Sequence, residues 1–147
     1  MIGFILNIPY TIFGLVVAMV SVPVQIKFRA TPYAFVLKVK KFWWTVGSTK
    51  SIRAITIGHV VMLGPKLEDN DLEHELTHVE QCQKIPLIFP LLYFIELLLK
   101  GYKNNKYEIE AYQRAGNIYA GRQKVQAPKR NQLFVCSAKE KEIKIMK

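Results

Sequence analysis

The sequence predicts an α+β fold with an N-terminal membrane helix, and three observations carry that prediction. An unbroken apolar run opens the chain, two short runs rich in β-branched residues follow, and two later segments with helical periodicity both carry carboxylates. With 147 residues there is room for one domain. The expected division is a membrane anchor helix over 1–27, a folded domain over 28–122 and a basic tail over 123–147. Half the residues are hydrophobic and 12% aromatic, which excludes a disordered chain. The two cysteines, Cys82 and Cys136, stand at unpatterned spacing; they exclude a disulfide scaffold and suit a reducing compartment.

Ile2 to Val24 contains no charged side chain. At 1.5 Å per residue such a run reaches about 35 Å, enough to cross a hydrocarbon core of about 30 Å. A secretory signal fits less well, because no Lys or Arg precedes the run. Asn7, Pro9 and Pro23 weaken a straight span, and a buried core helix is the alternative. Lys27, Arg29, Lys38, Lys40 and Lys41 follow it, so the positive-inside rule places the rest of the chain in the cytoplasm. Phe35 to Val39 alternates as a strand, extended in apolar character by Phe42, Trp43 and Trp44, and Gly47 to Thr49 supplies a turn. Ala54 to Leu63 reads as a second strand paired with the first, ending at Gly64-Pro65. The second apolar segment, Ile85 to Leu99, holds Pro86, Pro90 and Glu96 and is too short to span; it suits an interfacial or re-entrant helix, or a core helix.

The net charge of +10 is unevenly spread. Residues 1–68 carry +7, residues 69–121 carry −3 and residues 122–147 carry +6. Acids thus gather in the middle of a basic chain, and that is where a site is expected. Asp69 to Glu73 opens a helix, with Asn70 as its expected cap and Glu73 placed as in a capping box. Inside it stands His74-Glu75-Leu76-Thr77-His78. Histidines at i and i+4 lie about 40° apart on a helix and can present two imidazole nitrogens to one zinc ion, with Glu75 beside the open coordination position. Leu72, Leu76 and Val79 form an apolar stripe, while His74, His78 and Gln81 share nearly the opposite side.

A catalytic zinc needs a third protein ligand. Glu108 and Glu110 lie at the start of the next polar helix. Glu108 shares a face with Tyr112, Ala115 and Tyr119 and points inward; Glu110 points about 200° away, toward Arg114 at i+4, and is the reserve. His59 reads as an ordinary strand residue rather than a ligand.

HELTHVEQ at 74–81 followed by NKYEIEAY at 105–112 resembles the small zinc metallopeptidase-like proteins of the gluzincin group, over about residues 55–117. The resemblance implies a minimal zincin-like domain: a β-hairpin, the HExxH helix, an apolar helix and a third-ligand helix. It implies Zn2+ on His74, His78 and Glu108, with Glu75 as catalytic base. Larger gluzincins often carry an Asp four residues after the third ligand to orient a histidine; here Tyr112 stands there. A zinc-activated water would attack a peptide carbonyl, with Tyr107, Tyr112 or His59 as candidate oxyanion donors and the 54–63 strand as a docking edge for peptide.

The expected activity is that of a membrane-associated, zinc-dependent peptidase facing the cytoplasm, with membrane lipid and a peptide or protein substrate as partners. The alternative is a non-catalytic membrane-anchored interaction module with a structural or vestigial zinc site. Nucleic acid is not the expected partner: the tail from Arg122 to Lys147, with Lys124, Lys129 and Arg130, lacks interleaved aromatics and any known nucleic-acid motif.

Overall fold

A computed structural model of the chain describes residues 2–42 and 52–116. Trp43, Trp44, the turn at 47–49, Cys136, Tyr119 and the basic tail lie outside the described residues.

A four-stranded mixed sheet organises the fold. Its strands are β1 (Pro23–Ala30), β2 (Tyr33–Val39), β3 (Ala54–Ile57) and β4 (Val60–Leu63), in the spatial order β1-β2-β4-β3. β1 pairs antiparallel with β2 and β3 with β4, whereas β2 and β4 run parallel. The expected single strand over 54–63 is therefore a hairpin, and its pairing with the preceding strand is parallel. Gly58 takes a φ of +60 in the two-residue connection with His59, and a Cβ there would lie 2.7 Å from the Thr11 backbone nitrogen. Only glycine permits both the turn and the close approach. All four residues of β4 are buried, as a continuous Val-Val-Met-Leu run demands when both faces of a strand are covered.

The N-terminal run is not one helix. It forms α1 (Ile2–Leu6) and α2 (Ile8–Val20), then enters β1, so residues 23–27 of the expected anchor are strand. Pro9 sits in the first turn of α2, where its missing N–H costs nothing. Ser21 ends the helix by turning its hydroxyl back onto the Val17 carbonyl at 2.9 Å. Among the described residues no single helix is long and apolar enough to cross a membrane. The pair Asp71–Lys84 and Phe89–Lys100 meets that test only when joined, and it is bent by 118°.

α2 covers one sheet face with Thr11, Gly14 and Ala18. Ala18 joins Leu37, Val39, Val60 and Met62 in one apolar cluster. Asn7, fully buried between α1 and α2, donates to the Cys82 carbonyl at 2.7 Å and accepts from the Leu87 N–H at 3.0 Å. Thr11 Oγ1 lies 3.0 Å from His59 Nδ1. These polar contacts fasten the N-terminal helices to the rest of the domain.

The other face is covered by α3 (Asp71–Lys84), whose Leu72, Leu76 and Val79 pack on Ala34, Val36, Val61 and Leu63, the stripe the sequence pattern predicts. α4 (Phe89–Lys100) follows, then α5 (Lys106–Ala115), which lies against α3. α4 is not a core helix: Phe89 is its one buried residue, while Leu91, Phe94, Ile95, Leu98 and Leu99 are exposed.

Candidate metal centre

α3 is held by charge at its start, though not as the sequence suggests. Asn70 makes no side-chain cap bond. Instead Asp71 accepts from the Glu68 N–H at 2.8 Å and pairs with Arg53 at 3.2 Å, and Glu73 reaches Arg29 at 3.2 Å rather than closing a capping box. Arg29 on β1 and Arg53, just before β3, therefore fix the first turn against the sheet.

One and two turns further on, His74 and His78 point to the side away from the apolar stripe, and both are buried. α5 supplies the third group. Asn105, fully buried, caps α5 by accepting from the Tyr107 N–H at 3.0 Å, and its amide donates to the Tyr93 carbonyl at 3.3 Å. The cap sets where α5 begins, and Glu108 at the third helical position is thereby aimed at α3. His74 Nε2 and His78 Nε2 lie 3.2 Å apart. Glu108 places Oε2 at 3.4 Å from the first and Oε1 at 3.2 Å from the second. These donors form a group within 4.8 Å that can hold a metal ion.

The surroundings orient each donor. Gln81 Oε1 lies 2.9 Å from His78 Nδ1, and its amide donates to the Tyr107 carbonyl at 3.1 Å and to Glu110 at 2.9 Å. Glu110 also pairs with Arg114 at 2.6 Å. It lies outside the three-donor group, yet it is more than the solvent-facing ion pair its helical position suggests, because it steadies the glutamine behind His78. Tyr93 donates to Glu108 Oε1 at 2.7 Å. Tyr112 lays its ring 4.4 Å from that of His74, whose Nδ1 has no hydrogen-bond partner among the described residues. Where an acidic residue would orient that imidazole, an aromatic ring confines it instead.

Burial alone would raise the Glu108 pKa, but hydrogen bonds with His74, His78 and Tyr93 overcome it and hold the carboxylate well below its usual range. Burial alone would lower that of His78, and the neighbouring Glu108 and Glu75 carboxylates raise it. Glu75 is pushed up by burial, against the pull of His78 and of Thr56. Thr56, on β3, donates to Glu75 Oε2 at 2.7 Å and approaches its carbonyl at 3.1 Å. Glu108 Oε2 is buried 3.4 Å from His74 Nε2. A buried carboxylate beside two imidazole nitrogens suits a metal cation.

A cavity of about 1240 Å³ adjoins the three donors, and Glu75, Thr56, Tyr93, Tyr102 and Tyr112 line it. Of the candidate oxyanion donors, only Tyr112 lies there. Tyr107 is packed in an apolar cluster with Cys82 and Phe89. His59 is fully buried against the Phe4 ring, in the β3–β4 connection rather than within a strand. Thr56, Asn105, Tyr93 and Tyr102 were not singled out by the sequence pattern. Asn105 carried a usable signal, a cap residue three positions before an inward glutamate; Tyr93 and Thr56 carried none, since each acts across elements. No family model matches this chain, and no curated protein or solved structure matches it either.

Proposed function

We propose that the chain is a membrane-associated, zinc-dependent peptidase. The supporting observation is the spacing of the three donors. Two atoms each about 2.0–2.1 Å from a tetrahedral zinc lie about 3.3 Å from one another. Here the two imidazole nitrogens lie 3.2 Å apart, one Glu108 oxygen lies 3.4 Å from the first and the other 3.2 Å from the second, and one donor atom from each residue falls within 4.8 Å of the others. Two imidazoles and one carboxylate suit zinc as a donor set, and three ligands leave one position open, as a catalytic site requires.

Zinc bound there supplies Lewis acidity, polarising a carbonyl and lowering the pKa of water. Every other function falls to side chains. Glu75, held by Thr56, accepts the proton of the attacking water and returns it to the leaving amine. Tyr112 and Tyr102, whose hydroxyls lie 3.3 Å apart on the cavity wall, are the donors this reading assigns to a developing oxyanion. β3 is an edge strand among the described residues and lines the same cavity, which suits an extended peptide added along it. Membrane association rests on the apolar side chains that α2 and α4 turn outward. Because no single described helix is long and apolar enough to cross a bilayer, the association proposed is at its surface, and the lysines that follow α2 are not used to fix a side.

Glu75→Gln tests the reading. Full-length protein should bind one zinc in both forms and hydrolyse a peptide library only as wild type. Zinc retained with no cleavage by wild type in any library would support a structural zinc site in an interaction module instead. Absence of zinc from the wild type would remove both.

A further inference from the structure

We infer that the rim of the metal cavity, formed by α2 and α4, docks on an anionic phospholipid bilayer, so that the cavity opens toward lipid and takes substrates held in it. The substrate clause rests on the peptidase reading; the docking does not.

Pro9, Tyr10 and Phe13 from α2 form one lip of the cavity, and Phe89, Pro90 and Phe94 from α4 the other. The Tyr10 hydroxyl donates to the Leu87 carbonyl at 2.8 Å, which ties the two lips together. Phe13 is 60% and Phe94 53% exposed, so both rings turn away from the core at the mouth itself. The apolar surface continues from there along both helices, through Val16 and Met19 on α2 and through Leu98 and Leu99 on α4. Exposed large apolar residues thus recur along both helices that form the mouth, as at a membrane or partner interaction site.

Charge selects the occupant. No charged side chain occurs from Ile2 to Ile26, and no acid before Glu68. On α4, Glu96 is paired with Lys100 at 3.0 Å and faces Lys106 at 3.5 Å, so it adds no free negative charge to the rim. Basic residues stand where each apolar helix ends: the Lys40 backbone N–H donates to the Val22 carbonyl just past α2, and at and beyond the end of α4 Lys100 and Lys106 together exceed Glu96 by one charge, with Lys103 adding another. An apolar belt bracketed by lysines is the arrangement of an interfacial helix on anionic lipid, where the stems lie along the acyl boundary and the ammonium groups meet phosphate. A second copy would set lysines against lysines in a protein of net charge +10. The segment 122–147, with eight Lys and Arg, is poorly composed to cover an apolar face.

The test uses the full-length chain with Cys136→Ala, a nitroxide on cysteine introduced at Phe13 or Phe94, and a control label at Lys66 on the β4–α3 connection. On vesicles containing phosphatidylglycerol, the labels at 13 and 94 should become about tenfold less accessible to a water-soluble nickel chelate and more accessible to oxygen, with the label at 66 unchanged. Labels at 13 and 94 that stay water-accessible on vesicle-bound protein overturn the inference. So does protection without vesicles, which would assign the face to a second copy if the mass doubles and to the chain's own tail if it does not. For the substrate clause, an N-palmitoylated peptide on the same vesicles should show a KM at least tenfold below that of its unacylated form; equal KM values overturn that clause. A protein that cleaves neither peptide defeats the peptidase reading, while the nitroxide result still decides the docking.

Discussion

The two helices that cover opposite faces of the sheet obey opposite rules. α3, rich in charged and polar residues, buries His74, Glu75, Thr77, His78 and Gln81, whereas α2, almost wholly apolar, turns Thr11, Gly14 and Ala18 inward and leaves Ile12, Phe13, Val16 and Met19 exposed. Neither arrangement is stable by composition alone. Buried polar groups must be paired, and large apolar groups in water represent lost burial of about 25 cal/mol per Å². On the α3 side most of these groups are paired, and His74, His78 and Glu108 converge where a cation fits. On the α2 side small residues let backbone approach backbone, at the expense of the larger side chains that would ordinarily make the core. The difference teaches that helix hydropathy does not tell which helix is inside; the size of the residue facing the sheet does.

The comparison breaks first at the metal centre. Glu108→Ala removes one of three donors and should reduce bound zinc below a tenth of an equivalent, measured by metal analysis after dialysis. Glu110→Ala should keep the metal stoichiometry and weaken affinity by about tenfold, since it reaches the donors only through Gln81 behind His78. Zinc lost in the second variant and kept in the first would reverse the ligand assignment.

The next largest effect belongs to α2. A Cβ at Gly14 would lie 2.6 Å from the Ile57 carbonyl oxygen, a backbone atom that cannot swing aside. Gly14→Leu should therefore destabilise the fold by about 1–3 kcal/mol in a urea titration. Val16→Leu, on the outward side of the same helix, should change stability by less than about 0.5 kcal/mol. Equal costs at the two positions would mean that the inner and outer faces of α2 are misassigned.

Much of the α3 side was legible in the sequence because its determinants are local. The i, i+4 histidines and the Leu72, Leu76, Val79 stripe depend only on helical period, and the same period separates Glu108 from Glu110. The run from Ile2 misled because apolar content says nothing of where a chain bends: Asn7 and Pro23 break it, and Asn7 does so through bonds to Cys82 and Leu87, remote in sequence. The strand over 54–63 misled for a similar reason. Gly58 was visible within it, but that the following residues pair parallel with β2 is a matter of topology, which strand composition does not encode. Roles that cross elements, such as Thr56 on Glu75 and Tyr93 on Glu108, required the fold.

Thr56→Val tests one of those roles at intermediate size. It keeps the β-branched shape of the strand and removes the hydroxyl that donates to Glu75. A hydrogen bond to a charged group contributes about 1.5–3 kcal/mol, so kcat should fall by about tenfold or more while zinc content stays the same. An unchanged kcat would show that Glu75 is positioned without β3.

The smallest effect separates the two faces by pH. His59, on the α2 side, has its pKa lowered from 6.5 by burial, which disfavours its imidazolium in the fold. The unfolded chain takes up a proton there as pH falls through 6.5 and the folded chain only at lower pH, so stability present above 6.5 is progressively lost below it. One such group changes the unfolding free energy by at most about 1.4 kcal/mol per pH unit. His59→Asn removes the titration, and the difference in unfolding free energy between wild type and variant should therefore shrink or reverse by up to about 1 kcal/mol between pH 7 and 5.5. Because the α3 histidines are common to both proteins, their own titration cancels in that difference. A difference independent of pH would mean that the Thr11 to His59 contact accommodates the imidazolium, and that the attachment of α2 is as polar in character as the metal side it was contrasted with.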